Sequence, residues 1–527
     1  MGSGVAGALV ASKLSRNGVK VLIVEAGPQN PSRQTMLNQY YSSTIKHINA
    51  PYSDHPQAPK PTTLNPDHYY IQTGPQKFLS TYERCIGGTT WHWLGSCLRL
   101  LPSDFTMKTQ YNVAVDWPLS YKELDPWYET AESSLGVAGD SRYDLGSPRQ
   151  RPYPKPPIKL SYLDRYLATK LKGKTYQGKK FEVAPNPQAR DPQICQGSAS
   201  CIPLCPTGAK YEAHTHIKDA VKHGAQILSS AVVEKIIVGK QQIVEGLEIL
   251  RWDHSKLIVK GKTYFLAGGA IETAKVLLNS TSEHTPNGVA NRSDQVGRNL
   301  MDHPVQLSWG LSPDPIYPYR GPGSTAGIDG FRDGSFRKHQ GAARLEINNH
   351  GWAWPTGGVQ ADIRAFIRKG LLGKALRKTI SRRGQREITL ASLLEQLPYQ
   401  HNRITLAKKQ KDALGIPQPN IYYQIDDYER KGMAFAEKVR DVTLTTIGCT
   451  EINHGQTVYG AGHIMGTYRM GLHPKTSVVD PNLRSHDHPN LFLLGAGVFP
   501  TAGSANPTLT IAALSERCAA YFLANLS

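Results

Sequence analysis

The sequence predicts an α/β fold in which a doubly wound, mostly parallel sheet is assembled from discontinuous stretches of chain, with a second domain built from the segments between them. Three observations predict it. Gly2-Ser3-Gly4-Val5-Ala6-Gly7 opens a helical pattern that leads into an apolar run at 19–24. The same succession of apolar strand and helix returns at 263–267 with 270–278, and again at 491–494 with 509–526. At 527 residues the chain can hold two domains, or one large enzyme with an inserted domain.

In chain order, Val5, Ala8, Leu9 and Ser12 fall on one helical face, Asn17-Gly18 ends that helix, and the strand at 19–24 closes on Glu25. Residues 30–80 are rich in Pro, Asn, Ser and Tyr without periodicity and read as an extended, loop-heavy segment. Residues 140–210 read likewise, and the proline-dense run 148–157 as an excursion over a neighbouring domain. The runs 231–238 and 263–267 have the continuous apolar character of buried parallel strands. The predicted division is 1–110, 196–303 and 456–527 for the doubly wound domain, and 111–195 with 304–455 for the second. A glycine-rich loop of this kind normally follows a strand, yet only Met1 precedes it. That first strand, central and buried on both faces, is therefore missing from the expected sheet, which reads as a native start lying upstream.

The composition excludes several classes. Hydrophobic residues at 39% and charged residues at 20% are ordinary for a globular protein, and no apolar run approaches the roughly 18 residues a membrane span needs. The formal charge of +19 is high, but Lys and Arg are dispersed and not interleaved with aromatics, which argues against nucleic-acid binding. One denser stretch, Arg364 to Arg386, reads either as a solvated helical face or as a docking surface for an acidic protein or an anionic membrane. The odd count of 7 cysteines excludes a disulfide scaffold.

Two motifs carry chemistry by spacing alone. Gly2, Gly4 and Gly7 would let backbone approach a pyrophosphate at a helix N-terminus, whose N–H groups and dipole favour anions. Glu25, at the end of the following strand, would accept hydrogen bonds from an adenosine ribose. Cys195, Cys201 and Cys205-Pro206 crowd into one loop. Such thiols suit an iron–sulfur cluster, a zinc ion, or ordinary buried positions.

Further motifs appear in order: Gly87-Gly88-Thr89-Thr90-Trp91-His92-Trp93, Asn299-Leu300-Met301-Asp302-His303-Pro304, Gly462-His463-Ile464-Met465-Gly466-Thr467, and Asn506-Pro507-Thr508-Leu509-Thr510. Across essentially its whole length the chain resembles the glucose–methanol–choline (GMC) oxidoreductase family, and within it the bacterial FAD-dependent glucose, fructose and gluconate dehydrogenase large subunits. The resemblance implies FAD in a discontinuous domain and a substrate domain on an antiparallel sheet. It implies oxidation of an alcohol group of a sugar, sugar acid or polyol by hydride transfer to the flavin.

By resemblance His463 is the active-site histidine, suited by its near-neutral pKa to take a hydroxyl proton, and Asn506 pins the same hydroxyl. It places Gly2, Gly4, Gly7, Glu25, Gly87, Gly88, Thr89, His92, Val233, Ala267, Glu272, Ala496, Pro507 and Thr508 against the cofactor. His92 matches a position that carries the flavin covalently in the pyranose-oxidase pattern, or else packs beside the ring. The turn at Asp302-His303-Pro304 reads as structural.

The resemblance assigns Cys195, Cys201 and Cys205 to a [3Fe–4S] cluster, passing electrons singly to a cytochrome or quinone; the departure is Ile194, where relatives often carry another cysteine. It further implies a small export subunit with a twin-arginine signal, a cytochrome c partner, and a periplasmic place at the membrane through those partners. The alternatives are a cytoplasmic enzyme, an oxygen-using alcohol or pyranose oxidase of the same fold, and an inactive flavoprotein scaffold.

Overall fold

The glycine-rich loop leads, as expected, into a helix, Val5–Arg16, that is buried along most of its length. It lies against two other helices, His214–Lys222 and Thr508–Ala524. Asn17 and Gly18 end it, with Gly18 in the left-handed region. This is a computed structural model, and it describes residues 1–42, 51–62, 65–349 and 359–526.

Two parallel strand pairs form the doubly wound part: Leu22–Val24 with Gln226–Leu228, and Tyr264–Leu266 with Leu491–Leu493. Between them lies the position of the expected first strand. Met1 and Gly2 occupy its end. The Met1 amino group donates to the Phe265 carbonyl at 2.9 Å and its carbonyl accepts from the Ala267 N–H at 2.8 Å, while the Gly2 N–H donates to the Val24 carbonyl at 2.8 Å. Among the described residues, the two strand pairs are bridged here by that dipeptide.

The run 231–238 corrects one expectation. It is a strand, Ala231–Val238, but its partner is the antiparallel Val244–Arg251, which in turn pairs with Lys256–Val259. Burial on both faces gives a hairpin strand the same continuous apolar pattern as a parallel one, so direction could not be read from it. Two further corrections concern segments expected to be extended. Arg33–Ser42 is helical although Met36 is its one fully buried residue. Tyr162–Leu171 is a helix started by a Ser161/Asp164 capping box and held by buried Leu163, Leu167 and Leu171.

The second domain is built on a seven-stranded antiparallel sheet. Its order is Thr450–His454, Pro304–Leu311, Glu387–Leu394, Ala343–Asn348, Ala326–Ile328 and Val183–Pro185, with Tyr459–Gly460 also on Pro304–Leu311. Glu387–Leu394 is buried throughout because both its faces are covered. Ile388 and Leu390 point to the helix Asp427–Thr446 and pack with Phe435, Val439 and Leu444, whereas Ala391 and Leu393 face the opposite way and line a cavity. That helix starts at an Asp426/Glu429 capping box, and Gly432 admits the Gly341 backbone, since a Cβ would come within 2.8 Å of its carbonyl.

Arg403–Lys411 and Pro417–Tyr422 lie within 304–455 yet leave this sheet to pair with Ile71–Gln72 and to pack on the helix Gly269–Asn279. The basic stretch forms two helices, Val359–Arg368 and Gly373–Arg386, packed on each other.

Candidate active site

A cavity of 1010 Å³ runs from the glycine-rich loop to the antiparallel sheet. Its wall includes Gly2, Gly4, Glu25, Gly88, Thr89, His92, Val233, Ala267, Glu272, Ala496, Asn506, Pro507, Thr508 and His463, so the sequence-predicted residues converge from both ends of the chain. Gly7 and Gly87 stand behind that wall.

The glycines do different work. Gly2 is left-handed (φ +89°) and a side chain there would overlap the Ala267 carbonyl; a side chain at Gly7 would overlap the Gly2 carbonyl. A Cβ on Gly4 would meet nothing within 4 Å, so that face of the loop is open space at a helix N-terminus. Glu25 is buried. One carboxylate oxygen accepts from the Ser3 N–H at 2.9 Å and Ser3 Oγ at 2.6 Å, the other from the Gly27 N–H at 3.0 Å. Ser3 Oγ also accepts from the Gly87 N–H at 3.2 Å, tying the 87–91 turn to the loop. Ser3, invisible as a motif position, is thus the joint between Glu25 and the second glycine turn.

Glu272 lines the same cavity. Burial pushes its carboxyl up, but Arg84 and Lys275 outweigh that, with the Tyr69 and Tyr82 hydroxyls donating at 2.5 and 2.6 Å, and hold it down at about 2. His92 lines the cavity with Nδ1 3.4 Å from Glu83 Oε1, outside hydrogen-bond geometry, so that this buried nitrogen lacks a partner.

At the other end three side chains form a directional chain. His303 Nε2 lies 3.1 Å from the Gly503 carbonyl and its Nδ1 lies 2.8 Å from His463 Nδ1. A carbonyl only accepts, so His303 carries its proton on Nε2. Burial holds His303 down at about 4, so near neutral pH the ring is uncharged and its Nδ1 is a lone pair. His463 must then donate from Nδ1, which leaves its Nε2 unprotonated. Asn506 Nδ2 donates to that Nε2 at 3.3 Å, and Asn506 Oδ1 is buried without a partner. Burial, reinforced by His303, also pushes His463 well below its ordinary pKa.

The Asp302 carboxylate fixes the backbone beneath both rings, one oxygen accepting from the His303 N–H at 2.7 Å and the His463 N–H at 3.0 Å, the other from Ser80 Oγ. The turn expected to be structural therefore also carries a functional ring. His303 was hidden in the sequence because its partner lies 160 residues away.

Cys195, Cys201 and Cys205 lie beside the buried Arg190. Its guanidinium donates to Cys195 Sγ at 3.9 Å and responds to all three thiols. Among the described residues no group of three His, Cys, Asp or Glu stands drawn together as a metal site. Cys201 Sγ accepts from the Gly323 N–H at 3.3 Å, and burial of Cys205 is outweighed by the Lys210 N–H, the Lys210 charge, Thr207 and Arg190, which bring that thiol below its usual pKa. Arg190 and Lys210 are buried and, among the described residues, neither has a carboxylate ion-pair partner; Arg190 Nε has no partner at all. Burial lowers Lys210 to about 8. Ser200 and Ile202, flanking Cys201, line the same cavity as the glycine-rich loop.

Two models of the GMC oxidoreductase family match residues 169–305 and 398–515. The fructose dehydrogenase large subunit of Gluconobacter japonicus is 36% identical, covering 100% of this chain and 97% of its own. The gluconate 2-dehydrogenase flavoprotein of Pantoea cypripedii is 23% identical over 98% of this chain and 91% of its own. Among solved structures, pyridoxine 4-oxidase from Mesorbium loti matches with a TM-score of 0.66 at 17% identity, covering 100% of this chain and 99% of that one. A cavity with an open Gly4 face, unpartnered polar atoms on Asn506 and His92, and a proton-accepting histidine fits the flavin cofactor of such proteins. The chain belongs to the GMC oxidoreductase family, as an FAD-dependent enzyme acting on the CH–OH group of its donor.

Proposed function

We propose that this chain is the catalytic subunit of a dehydrogenase that oxidises an alcohol group of a sugar, sugar acid or polyol. The carrying observation is the Gly503–His303–His463 chain, which holds an unprotonated Nε2 at the cavity wall beside Asn506. A substrate hydroxyl seated there takes the place of the Asn506 amide at His463 Nε2 and donates its proton to that nitrogen, while the freed amide donates to the hydroxyl oxygen. Neutral His303 accepts from the resulting imidazolium and stabilises it, and apolar Val305, Ala391 and Leu393 keep that end of the cavity dry. Bound FAD supplies the two-electron acceptor for the carbon-bound hydrogen. Glu346, anchored by Arg344, and Ser324 stand on the antiparallel-sheet wall as acceptors for further hydroxyls, which favours a polyhydroxylated substrate. The relationship to a fructose dehydrogenase large subunit supports that class.

The proposal extends to the electron exit. Cys195, Cys201 and Cys205 would hold a [3Fe–4S] cluster that delivers electrons to a cytochrome or quinone. Buried Arg190, which has no carboxylate ion-pair partner among the described residues, supports this, because thiolates bound to such a cluster would supply negative charge beside it. A cytochrome c subunit and a small export subunit, with a periplasmic site at the membrane, complete the proposal; the large-subunit relative supports the existence of partners.

The test is turnover with a one-electron acceptor against turnover with O₂, across a sugar panel, together with an EPR spectrum of the oxidised protein. Acceptor-dependent turnover on a sugar with a [3Fe–4S]-type signal is the expected result. Abundant peroxide would overturn the dehydrogenase reading, and an EPR-silent protein of normal turnover would overturn the cluster.

A further inference from the structure

We infer that the helical hairpin Val359–Arg368 and Gly373–Arg386 is a docking element for an anionic phospholipid surface, so that this chain touches the bilayer directly.

The hairpin's charge is the first observation. Residues 359–386 hold nine Lys and Arg against the single acid Asp362. Arg383 is engaged with Glu387 and Glu451, and Arg386 with backbone carbonyls. The other seven (Arg364, Arg368, Lys369, Lys374, Arg377, Lys378 and Arg382) are exposed and, among the described residues, have no carboxylate partner. Some surface cations elsewhere are paired, as in Arg16–Asp219 and Lys256–Glu234, but here seven unpaired cations gather on one two-helix element. Packing such a run together without counter-charges is unfavourable unless an anionic surface supplies them.

The second observation is apolar exposure in the same place. Leu372 is 65% and Ile367 45% exposed. They belong to the turn between the helices and its approach, where Gly370-Leu371-Leu372-Gly373 is flanked by Lys369 and Lys374. Here exposed apolar side chains at a helix–helix turn have long cations on either side. They suit an interface where leucines enter the acyl boundary and lysine stems extend back to phosphate head groups. Among the described residues its helices pack chiefly on each other and are tied to the sheet through Arg383, which pairs with Glu387 and Glu451. The inference is independent of the redox reading, because it rests on surface residues away from the cavity.

The full chain is tested by flotation with phosphatidylcholine vesicles with and without phosphatidylglycerol. Binding is expected to the anionic vesicles alone and to fall as salt rises. Reversing Lys374, Arg377 and Lys378 to Glu should weaken it at least ~100-fold, taking about 5-fold per cation lost near such a surface. Leu372→Asp should weaken it with little change in salt dependence, and L372W should shift its fluorescence to shorter wavelength on the vesicles. Lys408→Glu, Lys409→Glu and Lys411→Glu together change the charge equally on a distant exposed strand and should leave most binding intact. Turnover with a soluble acceptor should be unaffected in every variant, showing that they fold. The inference is overturned if the wild-type chain ignores anionic vesicles, if both triple reversals weaken binding alike, or if the hairpin variants lose only binding to an acidic protein.

Discussion

Replacing His303 with Leu removes the acceptor for His463 Nδ1 while leaving His463 and Asn506 in place. A buried N–H left without a partner costs about 1–3 kcal/mol. An imidazole escapes that cost by moving its proton to the other nitrogen, here Nε2, where the substrate hydroxyl needs a lone pair. Catalysis then proceeds from the minor tautomer, and the same energy becomes a roughly 5–150-fold fall in kcat. Asn at 303 can present its side-chain oxygen near the place of the lost Nδ1, so His303→Asn should recover most of the rate. The assay is steady-state turnover with a soluble acceptor from acid to neutral pH, with bound flavin quantified by absorbance. In the wild type His303 gains a proton as pH falls through about 4, after which both its nitrogens donate and His463 loses its acceptor. Activity should therefore fall on that limb, and the limb should move in the Asn variant. Wild-type kcat in His303→Leu with flavin retained, or equal losses in the Leu and Asn variants, would refute the reasoning.

His463→Ala should lower turnover by roughly 10²–10⁴-fold while flavin absorbance per chain stays the same. Gly4→Ala and Gly7→Ala should part company: the first fills only open space and should weaken flavin retention with little change in the thermal stability of flavin-free protein, whereas the second strikes the Gly2 carbonyl and should lower that stability. Cys201→Ser should abolish a cluster EPR signal and slow acceptor reduction more than flavin reduction in stopped flow. His303 and His463 are both neutral in the fold well below the ordinary histidine pKa of 6.5, so the unfolded chain binds protons that the folded chain refuses. Buried Asp302, Glu387 and Glu429, raised to about 7, add stability as pH falls over the same range, so the check is a difference. Between about pH 6.5 and pH 4 the denaturation midpoint of His303→Leu should fall less, or rise more, than that of the wild type, and identical profiles would contradict the burial of His303.

What was legible in the sequence is what chemistry confines to contiguous runs. A pyrophosphate cradle needs its glycines within one turn, so Gly2, Gly4 and Gly7 announce it, and the strand spacing brings Glu25 with it. His463 and Asn506 were legible through the runs that carry them. His303 was not, because its meaning lies in a nitrogen facing a residue from another segment. Arg190 and Lys210 were silent for a related reason: a buried cation is unusual only once its lack of a carboxylate is seen. Strand direction at Ala231–Val238 escaped since period and burial are the same for either neighbour. The helix Tyr162–Leu171 could have been found, as Ser161-x-x-Asp164 before leucines at 163, 167 and 171 is a helix start.

The Val5–Arg16 helix packs against Thr508–Ala524, and Tyr264–Leu266 pairs with Leu491–Leu493. During synthesis the side of that helix covered by Thr508–Ala524 must wait for nearly the whole chain to emerge, although His214–Lys222 can cover another side much earlier. The antiparallel sheet, closed between Val183–Pro185 and Thr450–His454, can assemble earlier. Closure of the nucleotide half, which joins its first and last segments, can thus come only at the end of translation, with the slow, long-range step falling last. Flavin cannot be clasped before then, so its capture marks the end of folding, and interruption late in synthesis should release a chain with an ordered second domain and no capacity for the cofactor.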